Sequence, residues 1–302
     1  MFFSRRTILK TASLSAFSSV IPSFSIAQVD LKSSTIRTVS DGAITLPASL
    51  TFETMPQNKL EPILGEFNLS KNELIRECNV TLFENNSYKV LFDAGAGTDF
   101  LSGMGQLVDN LNAVNIRPED ITDVIFTHSH PDHLWGILDD FEDLTFQNAN
   151  FHIGRKEWEF WTDPDTVNKV REDRITTAIG AKRRLEALGT NINLFENDDK
   201  ILPGIKALIT PGHTPGHMSF EVGDNSKKFL IAGDALNNHH VAFRHPEWMG
   251  GLDQDPKLAA QTRQFLLQKL TSENMGLVGF HLPNGGIGKV ENTSEGYEFM
   301  EL

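Results

Sequence analysis

Short apolar runs, separated by polar turns that carry glycine or asparagine, set the pattern of this chain. Residues 35–40 and 43–46 flank an Asp41-Gly42 turn, and residues 79–83 and 89–92 flank Asn85-Asn86-Ser87, two hairpin signals in succession. Asp93-Ala94-Gly95 then ends a strand in a glycine-bearing turn. Leu107, Leu111 and Val114 fall on one face of an amphipathic helix. Pro118-Glu119-Asp120 leads into Val124-Ile125-Phe126, a short and fully apolar strand. Residues 150–153 read as a strand, 155–162 as a short aromatic helix, and 167–188 as a mostly polar helix stopped by Gly189. Strands resume at 205–209, 219–222 and 229–232, Pro256 opens a helix to about Leu270, and residues 277–280 read as the last buried strand. Hairpins followed by strand–helix alternation, twice over, predict two mixed sheets with helices outside: an α/β protein built as a four-layer αβ/βα sandwich. No linker or low-complexity tract divides residues 28–302, which are expected to form a single domain.

One heptapeptide carries most of the chemistry. Residues 127–133 read Thr-His-Ser-His-Pro-Asp-His, placing His128, His130, Asp132 and His133 within six positions. The chain has 10 histidines, so three in one turn of sequence are too dense for chance surface composition. Neutral imidazole nitrogens and an anionic oxygen are the donors that divalent cations take. The cluster leaves the end of a buried strand, where open α/β sheets place their sites. Pro131 argues against a helix running through it, since proline restricts the residue before it and removes a backbone donor. His213, Asp234 and His281 follow later apolar runs in the same way. A strand-end histidine is often merely hydrogen-bonded, but so many on equivalent ends predict convergence on one edge.

Ser4-Arg5-Arg6-Thr7-Ile8-Leu9-Lys10 has the form of a twin-arginine export signal. A serine- and alanine-diluted apolar stretch follows it, then Ser25-Ile26-Ala27 before Gln28. Residues 1–27 are therefore expected to be read by the twin-arginine export machinery of a bacterium, giving a periplasmic or secreted product. The stretch is too short and too serine-rich to span a bilayer, and no membrane partner is expected after export. Net charge is −13; without residues 1–27, 24 basic residues face 40 acidic ones, a charge of −16. Such a surface repels phosphate backbones, so nucleic acid is not an expected partner. Cys78 is the single cysteine, which rules out an internal disulfide.

The heptapeptide, the stretch Thr210-Pro211-Gly212-His213-Thr214-Pro215-Gly216-His217, Gly233-Asp234 and His281 together resemble the metallo-β-lactamase superfamily of metal hydrolases, over essentially all of residues 28–302. The resemblance implies the metallo-β-lactamase fold and two divalent metal ions. His128, His130 and His213 would hold the first, Asp132, His133 and His281 the second, and Asp234 would bridge them. Zn2+ is the favoured ion. With no cysteine near the site the donors are all nitrogen and oxygen, which also admits Mn2+, Fe2+ or Co2+. The implied chemistry is a hydroxide bridging the metals, held by the catalytic residues Asp132 and Asp234, attacking carbonyl carbon or phosphorus. Stretches outside the ligands, among them Ser40-Asp41-Gly42, Leu46-Pro47 and Gly286-Ile287-Gly288, look most like the methyl parathion hydrolase-type branch. Dimers are common among such proteins, which admits a homodimer here.

Departures from relatives narrow the chemistry. Asp234 stands where many β-lactamases carry a ligand cysteine, and Asn237 where acyl-homoserine lactonases often carry a tyrosine. Phe100, Trp158 and Trp161, with Asn237 and His240, are candidates to wall a substrate pocket; the competing reading of the aromatic residues is core packing. His239, His240 and His245 crowd the loop after Asp234, and one of them is a candidate leaving-group acid. The expectation is an exported dinuclear-metal hydrolase for a small-molecule substrate: lactones, aryl esters or organophosphate triesters. The alternative is a thioester or β-lactam hydrolase. A non-catalytic metal-binding periplasmic protein is disfavoured by the complete ligand set.

Overall fold

Two seven-stranded mixed sheets, each built from one contiguous half of the chain, organise the computed structural model, which describes residues 27–224 and 227–302. The export-signal reading lies outside the described residues, apart from Ala27. The first sheet runs in order through β1 (Gln28–Asp30), β2 (Ser34–Pro47), β3 (Glu73–Asn85), β4 (Lys89–Phe92), β5 (Asp123–Phe126), β6 (Asn150–Gly154) and β7 (Ile192–Phe195). The second contains β8 (Lys200–Leu202), β9 (Ile205–Ile209), β10 (Met218–Gly223), β11 (Lys228–Ile231), β12 (Gly276–Val278), β13 (Ile287–Thr293) and β14 (Gly296–Glu301), in spatial order from β14 to β8. Parallel pairing joins β4 to β5, β5 to β6, β6 to β7, and β11 to β12; the other pairs are antiparallel.

The core shows four layers. Phe92, Ile125 and Phe195 from the first sheet interleave with Ala207, Phe220, Phe229 and Ile231 from the second, and this cluster joins the sheets face to face. The outer face of the first sheet packs Val124, Phe126 and Phe151 against α3 (Leu107–Ala113), α5 (Arg155–Thr162) and α6 (Ile175–Ala187), through Leu111, Trp161, Ala181 and Leu185. On the far side, Leu230 and Leu277 meet Leu266, Leu267 and Leu270 of α8 (Pro256–Ser272). The αβ/βα sandwich read from the sequence is therefore the observed architecture. A buried strand needs apolar residues on both faces, which is why β5 is apolar at three consecutive positions.

Several local readings are corrected. Asp41-Gly42 is not a hairpin turn: β2 runs through it, with a register shift between Ser40 and Ala43 against β3. That bulge puts Gly42 at a φ of 100°, where a Cβ would come 2.0 Å from the Gly103 carbonyl oxygen. It also turns the Asp41 carboxylate inward, where burial pushes its pKa up to about 6 even as it accepts from Ala96 N and Leu107 N. Residues 167–188 are not one helix; two 3-10 turns, Pro164–Asn168 and Glu172–Arg174, precede α6. Residues 277–280 are not the last strand, because β13 and β14 follow as an antiparallel hairpin. Alternating charge (Lys289, Glu291, Glu298, Glu301) hid that hairpin from a search for apolar runs. Helices α1 (Ser49–Phe52) and α2 (Gln57–Glu66), also unread, pack Phe52, Leu60 and Ile63 with Val241 and Trp248.

Among the described residues no helix is long and apolar enough to cross a membrane. The inter-sheet layer is expected to dominate stability. Phe220 is fully buried there, with ring centroids 5.1 Å from Phe92 and 5.8 Å from Phe195. Phe220→Ala should cost about 3–5 kcal/mol of unfolding free energy, read as a lower urea midpoint at unchanged slope.

Candidate metal centre

Six strands deliver polar residues to the same edge of the sandwich. Asp93 follows β4, residues 127–133 follow β5, Glu157 lies just past β6, His213 follows β9, Asp234 follows β11 and His281 follows β12. Pro131 does not exclude helix from the heptapeptide. It opens the single turn α4 (Pro131–Leu134), the first helical position being where proline costs nothing, and leaves His130 extended at φ −70° and ψ 161°. Asp132 and His133 ride on that turn.

The seven expected ligands come together, each less than a tenth exposed. His130 Nδ1 lies 3.1 Å from His128 Nε2 and 2.9 Å from His213 Nε2. Three imidazole nitrogens at such spacing face a common point. Asp132 Oδ2 lies 3.2 Å from His281 Nε2 and 3.7 Å from His133 Nε2. Asp234 spans the two groups: its Oδ2 is 3.4 Å from His213 Nε2, while its Oδ1 is 3.2 Å from His133 Nε2 and 3.4 Å from His281 Nε2. His133 Nε2, His281 Nε2 and Asp234 Oδ1 have no hydrogen-bond partner although fully enclosed. Buried polar atoms are rarely left so, and a cation among them would satisfy all three. The residues therefore fit two metal ions: the donor atoms of His128, His130 and His213 cluster around one point, those of Asp132 and His281 (with Cys78) around another, and His133 and Asp234 lie together between them.

Electrostatics point the same way. Burial acts to lower the pKa of His133 and His281, yet Asp132, Asp93 and Asp234 hold His133 up at about 10, and Asp234 and Asp132 hold His281 up at about 9. Carboxylates this enclosed demand positive charge nearby. His128 behaves oppositely: burial and the surrounding imidazoles push it well below its ordinary value, leaving it a neutral donor.

A second layer fixes the rings. His133 Nδ1 meets Asp93 Oδ2 at 2.7 Å, His213 Nδ1 meets Asp253 Oδ1 at 3.0 Å, and His281 Nδ1 donates to the Glu77 carbonyl at 2.7 Å. Such partners choose the tautomer and aim the other nitrogen inward. Glu157 does more. Its Oε1 accepts from Ser129 N at 2.9 Å and Trp161 Nε1 at 2.6 Å, and its Oε2 from Thr214 Oγ1 at 2.7 Å and Gly216 N at 3.0 Å. One fully buried carboxylate thus ties the loop of His128 and His130 to the loop of His213. Gly216 is required at that join, since a Cβ there would come 2.2 Å from Glu157 N. Asp93, Glu157 and Asp253 were not found in the sequence. The signal for Asp93 was its place at the end of an apolar strand; Glu157 and Asp253 left none.

Other expectations change. Cys78 is near the site after all: its Sγ lies 3.9 Å from His281 Nδ1 and groups with Asp132 and His281. Burial pushes its thiol well above the ordinary value, so it stands there as a neutral thiol. Trp161 is fully buried and bonded to Glu157, its ring 5.9 Å from His130, so it supports the centre and does not wall an open pocket. Phe100 packs on Trp135 at 5.6 Å, and Trp158 lies half-buried against the first-sheet core. Asn237 is buried beside Asn238, His245 and Trp248. His240 is buried between Phe52 and Phe67, its Nδ1 accepting from Val241 N; burial pushes it down to about 3. Its imidazole is neutral near pH 7 and holds no acidic proton for a leaving group.

Two outcomes test these assignments. Glu157→Gln turns an amide NH2 toward two donors, and should cost about 1–3 kcal/mol while speeding metal loss to a chelator, followed by melting and by metal content. For His240 the folded pKa lies below the unfolded value near 6.5, so the unfolded chain takes up the proton first and stability falls as pH drops from 6.5 toward 3. Between pH 7.5 and 5 that loss amounts to about 2 kcal/mol. His240→Asn, which keeps an acceptor for Val241 N, should lose correspondingly less over the same interval.

Comparison with known proteins agrees with the geometry. The Metallo-beta-lactamase superfamily profile matches residues 75–274. An N-acyl homoserine lactonase of Bacillus cereus is 28% identical over 146 residues, 48% of this chain and 50% of that protein. The N-acyl homoserine lactonase AiiA of Bacillus thuringiensis subsp. kurstaki is 30% identical over 131 residues, 43% of this chain and 44% of that protein. The chain thus spans about half the length of the curated relatives it matches. Among solved structures, the hydrolase AbOPH of the beta lactamase superfamily superposes with a TM-score of 0.85 at 26% identity, covering 92% of this chain and 98% of that one. AidC, a dizinc quorum-quenching lactonase, shares the fold with a TM-score of 0.86 at 22% identity over the same shares. Profile, fold and donor set agree: the chain belongs to the metallo-β-lactamase superfamily.

Proposed function

We propose that this protein is a dinuclear metal-dependent hydrolase that cleaves small, largely apolar esters, lactones foremost. The observation that carries the reading is Asp234, a buried carboxylate set between two donor groups with one oxygen turned to each. When bound, two divalent cations, Zn2+ on this reading, supply Lewis acidity and bring the pKa of a water toward about 7. The rest falls to the chain. Asp132, Asp234 and the five imidazoles would hold the cations in a pocket almost closed to solvent, where electrostatic interactions gain strength. Asp132 Oδ2, 3.2 Å from His281 Nε2 and 3.7 Å from His133 Nε2, would serve both as a ligand and as a hydrogen-bond partner of the nucleophile. Asp93, Asp253 and the Glu77 carbonyl keep His133, His213 and His281 aimed while charge develops.

Lactones are put first because the curated relatives that match half of the chain carry the name N-acyl homoserine lactonase. The phenol that such enzymes often place after the bridging aspartate is absent, with Asn237 in its position, so this chain polarises substrate by other means. The same site geometry serves aryl esters and, in the methyl parathion hydrolase-type branch, phosphotriesters; that placement is part of the proposal. Export through the twin-arginine route is proposed on the Ser4–Lys10 motif alone.

Elemental analysis of active protein should find about two metal ions per chain, and chelation should abolish turnover. Asp234→Ala should drop the metal content and lower kcat by about 10²-fold or more while the circular dichroism spectrum persists. A panel of lactones, aryl esters, phosphotriesters and nitrocefin sets the substrate order; turnover of nitrocefin alone would overturn it.

A further inference from the structure

A cavity of about 390 Å³ opens beside the metal centre, a volume suited to a small molecule. Its wall includes Gly212, which precedes His213, and Asp253, which holds the His213 ring. The cavity therefore adjoins the first donor group.

The lining is basic in an acidic protein. Lys156, Lys169, Arg171 and Arg174 stand among its twelve residues, in a chain whose net charge is −13. Two of the four are already engaged: Lys169 pairs with Asp163, and Arg171 with Asp173. The other two are not. Lys156 forms no ion pair among the described residues. Arg174 donates to the Leu252 carbonyl and forms no ion pair among the described residues; burial and the nearby Arg171 lower its pKa, against the charges of Asp173 and Asp253. The cavity's own acids face elsewhere: Asp253 toward His213 and Arg263, and Asp255 onto Leu258 N at the start of α8. Phe160, Val170, Pro215 and Leu258 supply the remaining apolar wall.

We propose that this cavity is a subsite for a carboxylate carried on a short hydrocarbon body, with Lys156 and Arg174 binding the anion and Phe160, Val170 and Leu258 packing the chain. Two cations without an ion pair among the described residues, beside two carboxylates, favour a singly charged group over a dianionic phosphate. An Arg fork and a lysine ammonium together suit a carboxylate's two oxygens. As a substrate subsite it rests on the hydrolase reading, and narrows it to esters or lactones that bear an acid remote from the bond cleaved.

The test compares 4-phenylbutyrate with 4-phenylbutyramide by calorimetry on the metal-loaded full chain. The acid should bind more tightly than the amide and weaken as NaCl rises from about 0.02 to 0.5 M. Lys156→Glu, a change at an exposed side chain, should raise the Kd for the acid about tenfold, and Lys156→Arg should restore it. Equal binding of acid and amide, or equal binding of the acid to wild type and Lys156→Glu, would overturn the subsite. A kinetic arm uses mono-p-nitrophenyl glutarate and p-nitrophenyl butyrate. The ratio of kcat/KM for the anionic to the neutral ester should fall about tenfold in Lys156→Glu, through KM. If neither ester turns over, the hydrolase reading fails, and calorimetry still decides whether the cavity binds carboxylates.

Discussion

Buried negative charge is the constraint around which this structure is arranged. Asp93, Asp132, Asp234, Asp253 and Glu157 are all nearly closed to solvent at one edge of the sandwich. An enclosed carboxylate is costly unless paired or hydrogen-bonded. Three of them are held by hydrogen bonds: Asp93 by a ring and the Thr127 backbone, Asp253 by another ring at Oδ1, Glu157 by four donors. Asp132 and Asp234 are answered by imidazoles, and among the described residues Asp234 Oδ1 makes no hydrogen bond. Asp93, Glu157 and Asp253 aim the loops and rings around the centre, while Asp132 and Asp234 face into it.

The supports explain why so irregular an edge holds its shape. Residues 127–133 and 210–217 contain little regular structure, so sheet hydrogen bonds cannot fix their geometry. Glu157 replaces those bonds, while Asp93 joins the end of β4 to the end of β5 through Thr127 N and Oγ1. Trp161 closes over the Glu157 carboxylate and shields it from water. The helix read as a possible pocket wall is thus part of the metal-site frame.

What could be read from the sequence follows from which physical signals are local. The convergence of the candidate ligands was legible because imidazoles and carboxylates placed directly after apolar runs stand out against composition. The four layers were legible because strand and helix periods alternate twice. Glu157 was not, since a glutamate in Lys156-Glu157-Trp158 looks like any solvated helix residue until the loops that cover it are known. The Cys78 neighbourhood was missed for the same reason, its approach to His281 being made across 203 positions. Pro131 and Asp41-Gly42 misled because proline and glycine each have two structural uses, and only tertiary context chooses between breaking an element and starting or bulging one. His240 looked available as a leaving-group acid because α1 and α2, which help bury it, left no strong period.

The division of the sandwich into two contiguous halves gives the metal ions a further role. His128, His130, Asp132 and His133 come from the half ending at β7; His213, Asp234 and His281 come from the half beginning at β8. Neither half holds the whole candidate donor set, so on the proposed reading each ion would also clasp the two together, in a chain whose single cysteine can provide no covalent link. Loading such a centre removes freedom from long stretches of the unfolded chain, as a cross-link does. Catalytic competence and the mechanical union of the two sheets would then be set by the same two atoms.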